Sequence, residues 1–312
     1  MENIFHIQWH VTERCNLNCI HCYKEPYREE LPFEKLSFIA DNILSFIEER
    51  NLKLVLTLTG GEPFLKEEVY PLAYYLNNFR YYIEKINFIS NGTVLPQENL
   101  VKKINKIGNY YISLESFLEE DNDRIRGRGV FCKVVDNIRL LEQMGYNISV
   151  MITLLSENIN NIIDKFDELI LFFSKQKVSE IVFERFVSVG QAKDKIDKIV
   201  PPQKILNFYK VLCDFYEIPF VEEEMKKYKA IKVVFGDNIS NIFAAQCTAG
   251  KEGIAVLCDG TVYPCRRLDI PIGNLLMDKM QDIIPNKGFD VGIQNKDTFN
   301  CLAMTKNFWN KL

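Results

Sequence analysis

Three cysteines near the start of the chain, Cys15, Cys19 and Cys22, lie within eight residues and directly after a predicted strand. Thiolates bind both zinc and iron–sulfur clusters, so this spacing points to a metal centre. Three thiolates can hold three irons of a cubane cluster and leave the fourth iron open for another molecule. A zinc site normally needs four ligands, and the fourth could only be His21, beside Cys22. The pattern therefore favours an iron–sulfur cluster, with zinc or three unrelated thiols as alternatives.

The other six cysteines fall into two groups. Cys132 and Cys213 stand alone inside apolar, helix-like stretches, where cysteine usually acts as a small core residue. Four more lie in the last quarter of the chain, at Cys247, Cys258, Cys265 and Cys301. In a cytosolic chain of 312 residues, we expect cysteines to serve metal binding or catalysis rather than disulfides.

The composition argues against two classes of partner. The net charge is -4, and acidic and basic residues are mixed along the chain, which predicts no surface for nucleic acid. No apolar run approaches the ~18 residues that a membrane-spanning helix needs. Met1–His10 has neither the basic start nor the apolar stretch of a signal peptide. We therefore expect a cytoplasmic protein with no nucleic-acid or membrane partner.

The elements that must position the first cysteine group alternate between strand and helix. The predicted strands are Ile4–Val11, Leu54–Thr59, Lys85–Ser90, Asn109–Leu114, Asn147–Thr153 and Glu180–Val187. The predicted helices between them are Phe33–Arg50, Val69–Tyr82, Glu98–Lys106, Cys132–Met144 and Ile159–Ser174. Apolar strands in this order predict a parallel sheet covered by helices. The fold class is therefore α/β, and six units suit a partial (β/α)6 barrel of the TIM type.

The composition changes after the sixth strand. We predict a barrel domain at 1–190 and a linker with a helical segment at 191–245, whose helix covers Gln203–Tyr216. A small C-terminal α+β domain follows at 246–312. In that domain Asp259-Gly260 separates two apolar runs, which is typical of a β-hairpin.

Polar motifs also follow the second, third and fourth predicted strands. They are Thr59-Gly60-Gly61-Glu62-Pro63, then Ser90-Asn91-Gly92, then Ser113-Leu114-Glu115 with Asp123-Arg124-Ile125-Arg126-Gly127 shortly after. Active sites of β/α barrels are built where the strands end. One pocket can therefore gather these residues together with the cysteines.

The Cys-x3-Cys-x2-Cys spacing after the first strand, with the aromatic His21 before the last cysteine, resembles the radical S-adenosylmethionine superfamily. The Gly-Gly-Glu-Pro motif after the second strand resembles it as well, and the likeness extends from about Ile4 to Asn274. The resemblance implies a [4Fe–4S] cluster on Cys15, Cys19 and Cys22. It also implies that S-adenosylmethionine chelates the open iron through its amino and carboxylate groups.

Further residues are implied to contact this cofactor. Gly60 and Gly61 would let the backbone approach closely, and Glu62 would accept a hydrogen bond from the amino group. Arg126 would pair with the carboxylate, while Glu115 stands where relatives usually carry aspartate. The remaining contacts would be His21 beside the adenine and, toward the carboxylate or ribose, Ser90, Asn91 and Ser113.

The chemistry that the resemblance implies belongs to the cofactor. A reduced cluster passes one electron to the sulfonium, and the resulting 5′-deoxyadenosyl radical abstracts a hydrogen atom from the substrate. The electron would come from a donor such as flavodoxin or ferredoxin. The protein would supply orientation and the exclusion of water.

The C-terminal cysteines resemble a second known arrangement. Cys247-x12-Gly260-x4-Cys265, followed by Gly273-Asn274, is similar to the start of the SPASM extension of this superfamily. Only Cys301 follows, which implies the shorter "twitch" form with one auxiliary [4Fe–4S] cluster. Its implied ligands are Cys247, Cys265 and Cys301, with Cys258 as a candidate fourth. A zinc clip or free thiols are the alternatives here. A zinc-stabilised binding protein without catalysis is the alternative for the whole chain.

The substrate is inferred from resemblance alone. Members with this extension often modify ribosomally made peptides, which implies a peptide that is crosslinked, oxidised or epimerised. The alternative is a small molecule or nucleotide, and a basic patch for a triphosphate would favour it. Arg266-Arg267 could be part of such a patch or a solvated pair. Glu184, Arg185 and Tyr263 lie near predicted strand ends and are the acid–base candidates.

Overall fold

The structure is a computed structural model that describes residues 3–25, 29–97, 100–228, 230–235, 241–245, 247–285, 301 and 303. Its strands are β1 (Ile4–Thr12), β2 (Lys53–Gly60), β3 (Ile83–Ser90), β4 (Ile107–Ser113), β5 (Asn147–Leu154), β6 (Glu180–Arg185), β7 (Ala230–Val234), β8 (Asn241–Ala245), β9 (Gly253–Val256), β10 (Thr261–Tyr263) and β11 (Gly273–Asn274). Its helices are α1 (Phe33–Glu49), α2 (Val69–Asn77), α3 (Leu100–Lys103), α4 (Glu119–Arg126), α5 (Val130–Gln143), α6 (Ile159–Asp164), α7 (Phe166–Lys175), α8 (Pro202–Phe215), α9 (Glu222–Met225) and α10 (Met280–Ile283).

The described strands form one sheet in the order β11-β10-β9-β1-β2-β3-β4-β5-β6-β7-β8. Strands β1 to β6 are neighbours in chain order, and each pair is parallel. A helix lies between each consecutive pair of these strands, which is the connection that parallel strands require. The predicted α/β fold with a six-unit partial barrel is therefore confirmed.

The two faces of the barrel strands differ in character. On β5, Ile148, Val150 and Ile152 are buried in the main apolar core, whereas Met151 and Thr153 line a cavity on the opposite face. Side chains alternate between faces along a strand, so one strand can serve both surfaces. The outer face holds the helices in place, and the inner face remains available for a site.

Two strands in the middle of the chain were not predicted. Residues 191–245 were interpreted as a linker with one helix, and α8 matches that helix closely. The same segment also contains β7 and β8, which extend the sheet with antiparallel pairing beyond β6. The sheet thus continues past residue 190, and the proposed domain boundary there stays a prediction.

The predicted C-terminal hairpin is present and joins the other side of the sheet. Strands β9 and β10 pair in antiparallel fashion around Asp259-Gly260, and β9 pairs with β1 in parallel. This pairing brings the C-terminal segment against the strand that leads to the first cysteine group. Within the described residues, no helix has the length and apolarity to cross a membrane.

The two isolated cysteines differ in burial. Cys213 is fully buried, as predicted, whereas Cys132 is exposed on α5. The prediction for Cys132 was wrong because α5 buries its other face, through Val134, Ile138 and Leu141. A cysteine in an amphipathic helix can therefore be predicted as buried only after its position on the apolar or the polar face is known.

Candidate active site

The first cysteine group lies on a loop, residues 13–25, that follows β1 and is called here the cysteine loop. Its entry is held by the Gly-Gly-Glu motif at the end of β2. Gly61 N donates to Thr12 O at 2.8 Å, and Glu62 N donates to Arg14 O at 2.7 Å. A Cβ atom on Gly61 would lie 2.2 Å from Arg14 O, so the site requires glycine. The close approach seen for this glycine is to the loop backbone, and its contact with a cofactor stays a prediction.

The exit of the cysteine loop is held by a segment after β6 that sequence reasoning missed. Gln191 N donates to Lys24 O at 3.0 Å, and Ala192 N donates to Cys22 O at 3.1 Å. Gly190 has φ of 60°, and a Cβ atom there would lie 2.1 Å from Tyr23 O. In the sequence analysis, Gly190 was only the last residue of the predicted barrel domain. The contact depends on how β6 and β1 are placed in space.

Burial and charge set the state of the loop's thiols. Burial raises the pKa of Cys19, and the Arg126 guanidinium opposes that shift. Burial also raises the pKa of Cys22, and the neighbouring Cys19 and Cys15 act in the same direction. Binding to a metal would have to overcome these shifts, because a ligating cysteine is deprotonated.

The donor set suits a cluster better than a single ion. Among the described residues, no three His, Cys, Asp or Glu side chains converge closely enough to hold one metal ion. A cubane does not require such convergence, since each thiolate binds a different iron. Three thiols on one short loop fit that pattern.

Glu62 lies at the centre of a hydrogen-bonded group beside Cys15. Its carboxylate accepts from the Ser90 hydroxyl at 2.9 Å and from Asn91 N at 2.8 Å. The Asn91 side chain in turn donates to Asn16 Oδ1 at 2.8 Å and lies 3.6 Å from Cys15 Sγ. Burial raises the pKa of Glu62 to about 7, against the effect of these hydrogen bonds. The structure thus brings Glu62, Ser90 and Asn91 together, as the motifs predicted.

A second group connects the cysteine loop to the end of β4. Glu115 Oε1 lies 2.8 Å from Arg126 Nη1 and 3.2 Å from His21 Nε2. Its other oxygen accepts from Thr153 N at 2.6 Å. Although burial raises the pKa of Glu115, the nearby His21 and Arg126 outweigh it and hold that pKa at about 2. Glu115, which had no assigned role, is therefore the carboxylate that orients both His21 and Arg126.

Two polar atoms of the residues around Glu115 have no hydrogen-bond partner among the described residues. Within the described structure, His21 Nδ1 and Arg126 Nε are buried and have no hydrogen-bond partner. Buried polar groups normally have one, so these two atoms are suited to contact a bound polar molecule. S-adenosylmethionine fits this description, because its amino acid and adenine groups carry both hydrogen-bond acceptors and donors.

A cavity of about 320 Å³ extends from His21, the residue before Cys22, to the C-terminal cysteines. At one end it is lined by His21, Ser113 and Glu115, and at the other by Cys247, Cys265 and Cys301. Ligand pockets in proteins usually have volumes of roughly 300–1,000 Å³. His21, Ser113 and Glu115 of the barrel site therefore face the same space as three of the C-terminal cysteines.

Other predicted residues lie at or away from this cavity. Glu184 and Arg185 contribute to its wall, whereas Tyr263 packs with Ala255 and Leu257. Cys258 is fully buried directly after β9 and is not part of the cavity wall. Cys258 thus differs from the other three C-terminal cysteines, which line the cavity.

Arg266 and Arg267 are not a solvated pair. Arg266 is only 5% exposed and lies 3.6 Å from a Glu25 carboxylate oxygen. Arg267 pairs with Glu184 and donates to Arg185 O at 3.3 Å. The interpretation as solvated charges was wrong because acidic partners distant in sequence surround both side chains in the fold.

Comparison with known proteins agrees with this arrangement. Residues 9–169 match the family model of the radical SAM superfamily, and residues 247–303 match SPASM, an iron–sulfur cluster-binding domain. The first match alone covers more than half of the chain. The second begins at Cys247 and includes Cys265 and Cys301.

Individual relatives are distant. The AdoMet-dependent heme synthase of Methanosarcina barkeri is 24% identical over 299 residues, covering 90% of this chain and 82% of that protein. The antilisterial bacteriocin subtilosin biosynthesis protein AlbA of Bacillus subtilis is 27% identical over 297 residues, covering 89% of this chain and 59% of AlbA. The chain spans between 46% and 82% of the length of such curated relatives.

A solved structure shares the fold. Native anSMEcpe with bound AdoMet and Cp18Cys peptide has a TM-score of 0.66 and 19% identity to this chain. The match covers 91% of this chain and 81% of the other.

Proposed function

This chain belongs to the radical SAM superfamily, and on that premise we propose that it modifies a peptide. As a radical SAM enzyme it uses S-adenosylmethionine and a [4Fe–4S] cluster, and its SPASM domain implies auxiliary iron–sulfur binding. When bound, the cluster and S-adenosylmethionine supply one-electron cleavage and the abstraction of an unactivated hydrogen atom. The electron donor would be a protein such as flavodoxin or ferredoxin.

We assign the binding roles to residues of the cysteine loop and the strand ends. Cys15, Cys19 and Cys22 would hold the cluster. The unpartnered Nδ1 of His21 and the unpartnered Nε–H of Arg126 would form hydrogen bonds with S-adenosylmethionine, with Glu115 keeping both side chains in place. Glu62, Ser90, Asn91 and Ser113 would complete that binding surface. Cys247, Cys265 and Cys301 would bind one auxiliary cluster.

The observation that supports a peptide substrate is the cavity that His21, Ser113 and Glu115 of the barrel share with three of the C-terminal cysteines. A substrate segment placed there would lie between the barrel site and the C-terminal cysteines. AlbA takes part in the biosynthesis of a bacteriocin, and anSMEcpe was solved with a peptide bound. Arg266 and Arg267 also line this cavity, but each lies near a carboxylate that offsets its charge, which makes them weak candidates for neutralising a triphosphate.

A small-molecule substrate is the second candidate. It is favoured by the heme synthase relative, which matches over most of both chains. In the first candidate reaction a peptide loses the hydrogen atom, and in the second a small molecule loses it. Analysis of the products distinguishes the two reactions directly.

Anaerobically reconstituted enzyme, reduced and supplied with S-adenosylmethionine, should be incubated with short peptides encoded beside its gene. We expect a mass change in one peptide, or deuterium uptake from D2O if the change is epimerisation. GTP and an iron porphyrin serve as parallel substrates, and the Cys15/Cys19/Cys22→Ala variant is the control. Modification of the porphyrin or GTP, with every peptide unchanged, would overturn the peptide proposal.

A further inference from the structure

Arg266, the residue after Cys265, contacts both ends of the cysteine loop. Its Nη2 lies 3.8 Å from Glu13 Oε1, and Glu13 precedes Cys15 by two residues. Its Nη1 lies 3.6 Å from Glu25 Oε1, and its guanidinium carbon lies 5.5 Å from the centre of the Tyr23 ring. Tyr23 directly follows Cys22. One buried side chain from the C-terminal segment therefore joins the entry and the exit of the loop.

We propose that Arg266 is a positioning residue for the first cluster and fixes the base of the cysteine loop. This role depends on the cluster site proposed above for Cys15, Cys19 and Cys22, and it does not depend on a peptide substrate. It makes the C-terminal segment part of the barrel's own metal site.

The chemistry of arginine suits this position. A guanidinium is always charged, and its planar fork can face two carboxylates while one face packs on an aromatic ring. Glu13 and Arg266 are both less than a tenth exposed, and a buried carboxylate is costly without a cation nearby. Loss of Arg266 would remove that cation from Glu13 and Glu25 together.

Apolar packing supports the same connection. Tyr23 contacts a small apolar cluster that contains Val187, Leu268 and Cys301, with Cys265 against it. The residue after Cys22 thus packs among residues that surround the C-terminal cysteines. Displacement of Arg266 would therefore affect the exit of the loop first, where Tyr23 and Glu25 lie.

The test measures how fast iron leaves the first site. In the full chain carrying Cys247→Ala and Cys265→Ala, bound iron should come from the cysteine loop. Iron release to a chelator should be at least about tenfold faster after Arg266→Ala, because the buried Glu13 loses its nearby cation. Arg266→Lys, which keeps the charge but loses the fork, should lie between the two. Arg139→Ala, which breaks an exposed pair with Asp136, is the matched control and should leave the rate unchanged.

A spectroscopic measurement separates positioning from general destabilisation. Addition of S-adenosylmethionine should change the EPR spectrum of the reduced cluster, and Arg266→Ala should alter that change. If Arg266→Ala does not fold, Arg266→Lys and Glu25→Gln replace it, with smaller increases in release rate expected.

Iron release at the parent rate in all of the variants that fold would overturn the proposal. So would acceleration confined to the Cys15/Cys19/Cys22→Ala background, because Arg266 would then serve only the C-terminal cysteines. A parent protein that binds no iron would contradict the proposed function itself, which is a separate outcome.

Discussion

At the residue scale, one buried carboxylate orients two side chains that we propose face the cofactor. Glu115 contacts His21 from the cysteine loop and Arg126 from the end of α4, and it also accepts from the Thr153 backbone. The glutamate side chain at this position reaches all three partners. The motif predicted its place, while its partners became visible only in the fold.

Arg126→Ala should weaken the binding of S-adenosylmethionine and leave the iron content intact. The loss of a charged hydrogen-bond partner costs about 1.5–3 kcal/mol, or roughly ten- to a hundredfold in affinity. Equilibrium binding to the reconstituted protein measures this. Arg124→Ala, on the half-exposed face of the same helix, is the matched control and should bind normally. Unchanged affinity in Arg126→Ala would show that this residue does not face the cofactor.

Glu62 should make the stability of the iron-free protein depend on pH. Its pKa is about 7 in the folded protein, above the ordinary 4.5, so the folded state holds the proton more tightly than the unfolded state. The free energy of unfolding should therefore fall as pH rises from 4.5 to 7, by about 3 kcal/mol. Glu62→Gln should remove this loss.

Denaturant titrations at pH 5 and pH 8 measure the effect of Glu62. Glu120→Gln is the control because Glu120 is 87% exposed, and it should follow the wild type. If wild type and Glu62→Gln lose the same free energy of unfolding between the two pH values, Glu62 does not have a raised pKa.

At the element scale, the cysteine loop is held by segments that are far apart in the chain. The Gly-Gly-Glu turn after β2 contacts its entry, and the turn after β6 contacts its exit. The Gly-Gly-Glu motif predicted a close backbone contact at the first turn, but with the cofactor instead of the cysteine loop. The second was missed because Gly190-Gln191-Ala192 has no distinctive spacing.

Gly190→Ala should reduce iron binding at the cysteine loop. The new Cβ atom would lie 2.1 Å from Tyr23 O, so the loop exit must move. Gly145→Ala is a matched control, since Gly145 also has a positive φ, of 89°, with nothing within 4 Å of the new atom. Both variants should lose about 1–2 kcal/mol of stability from the left-handed conformation. Only Gly190→Ala should lose iron, and equal iron in the two variants would contradict the assigned role of this turn.

Most elements of the barrel could be predicted, because their apolar periodicity is set by one dominant core. Strands β7 and β8 could not. They are five residues long, and β7 follows a polar, acidic segment that favours a linker or helix. Antiparallel strands added to a sheet edge depend on the sheet already being present. A short stretch of sequence does not show whether such a sheet edge is available for pairing.

At the scale of the whole molecule, His21 of the cysteine loop and three of the C-terminal cysteines line one cavity although they are more than 200 residues apart in the chain. The pairing of β9 with β1 brings them there. Cys247, Cys265 and Cys301 were predicted from the resemblance to the SPASM extension, and their place on the cavity wall depends on this long-range pairing. The buried contacts of Arg266 have the same origin.

The number of candidate cysteine ligands predicts about eight irons per chain, in two cubane clusters of four irons each. The Cys15/Cys19/Cys22→Ala variant should keep about four irons and remain brown, because the C-terminal cysteines would still bind a cluster. Iron and sulfide assays after anaerobic reconstitution measure both. Four irons in the wild type would indicate that the C-terminal cysteines are structural or bind zinc.

The most direct test of the central assignment is the cleavage of S-adenosylmethionine by the cysteine loop. Anaerobically reconstituted wild type, reduced with dithionite, should form 5′-deoxyadenosine without added substrate. The Cys15/Cys19/Cys22→Ala variant should form none, while its circular dichroism should match the wild type because the barrel core lies outside the loop. Formation of 5′-deoxyadenosine at the wild-type rate by the folded triple variant would contradict the assignment of radical chemistry to these three cysteines.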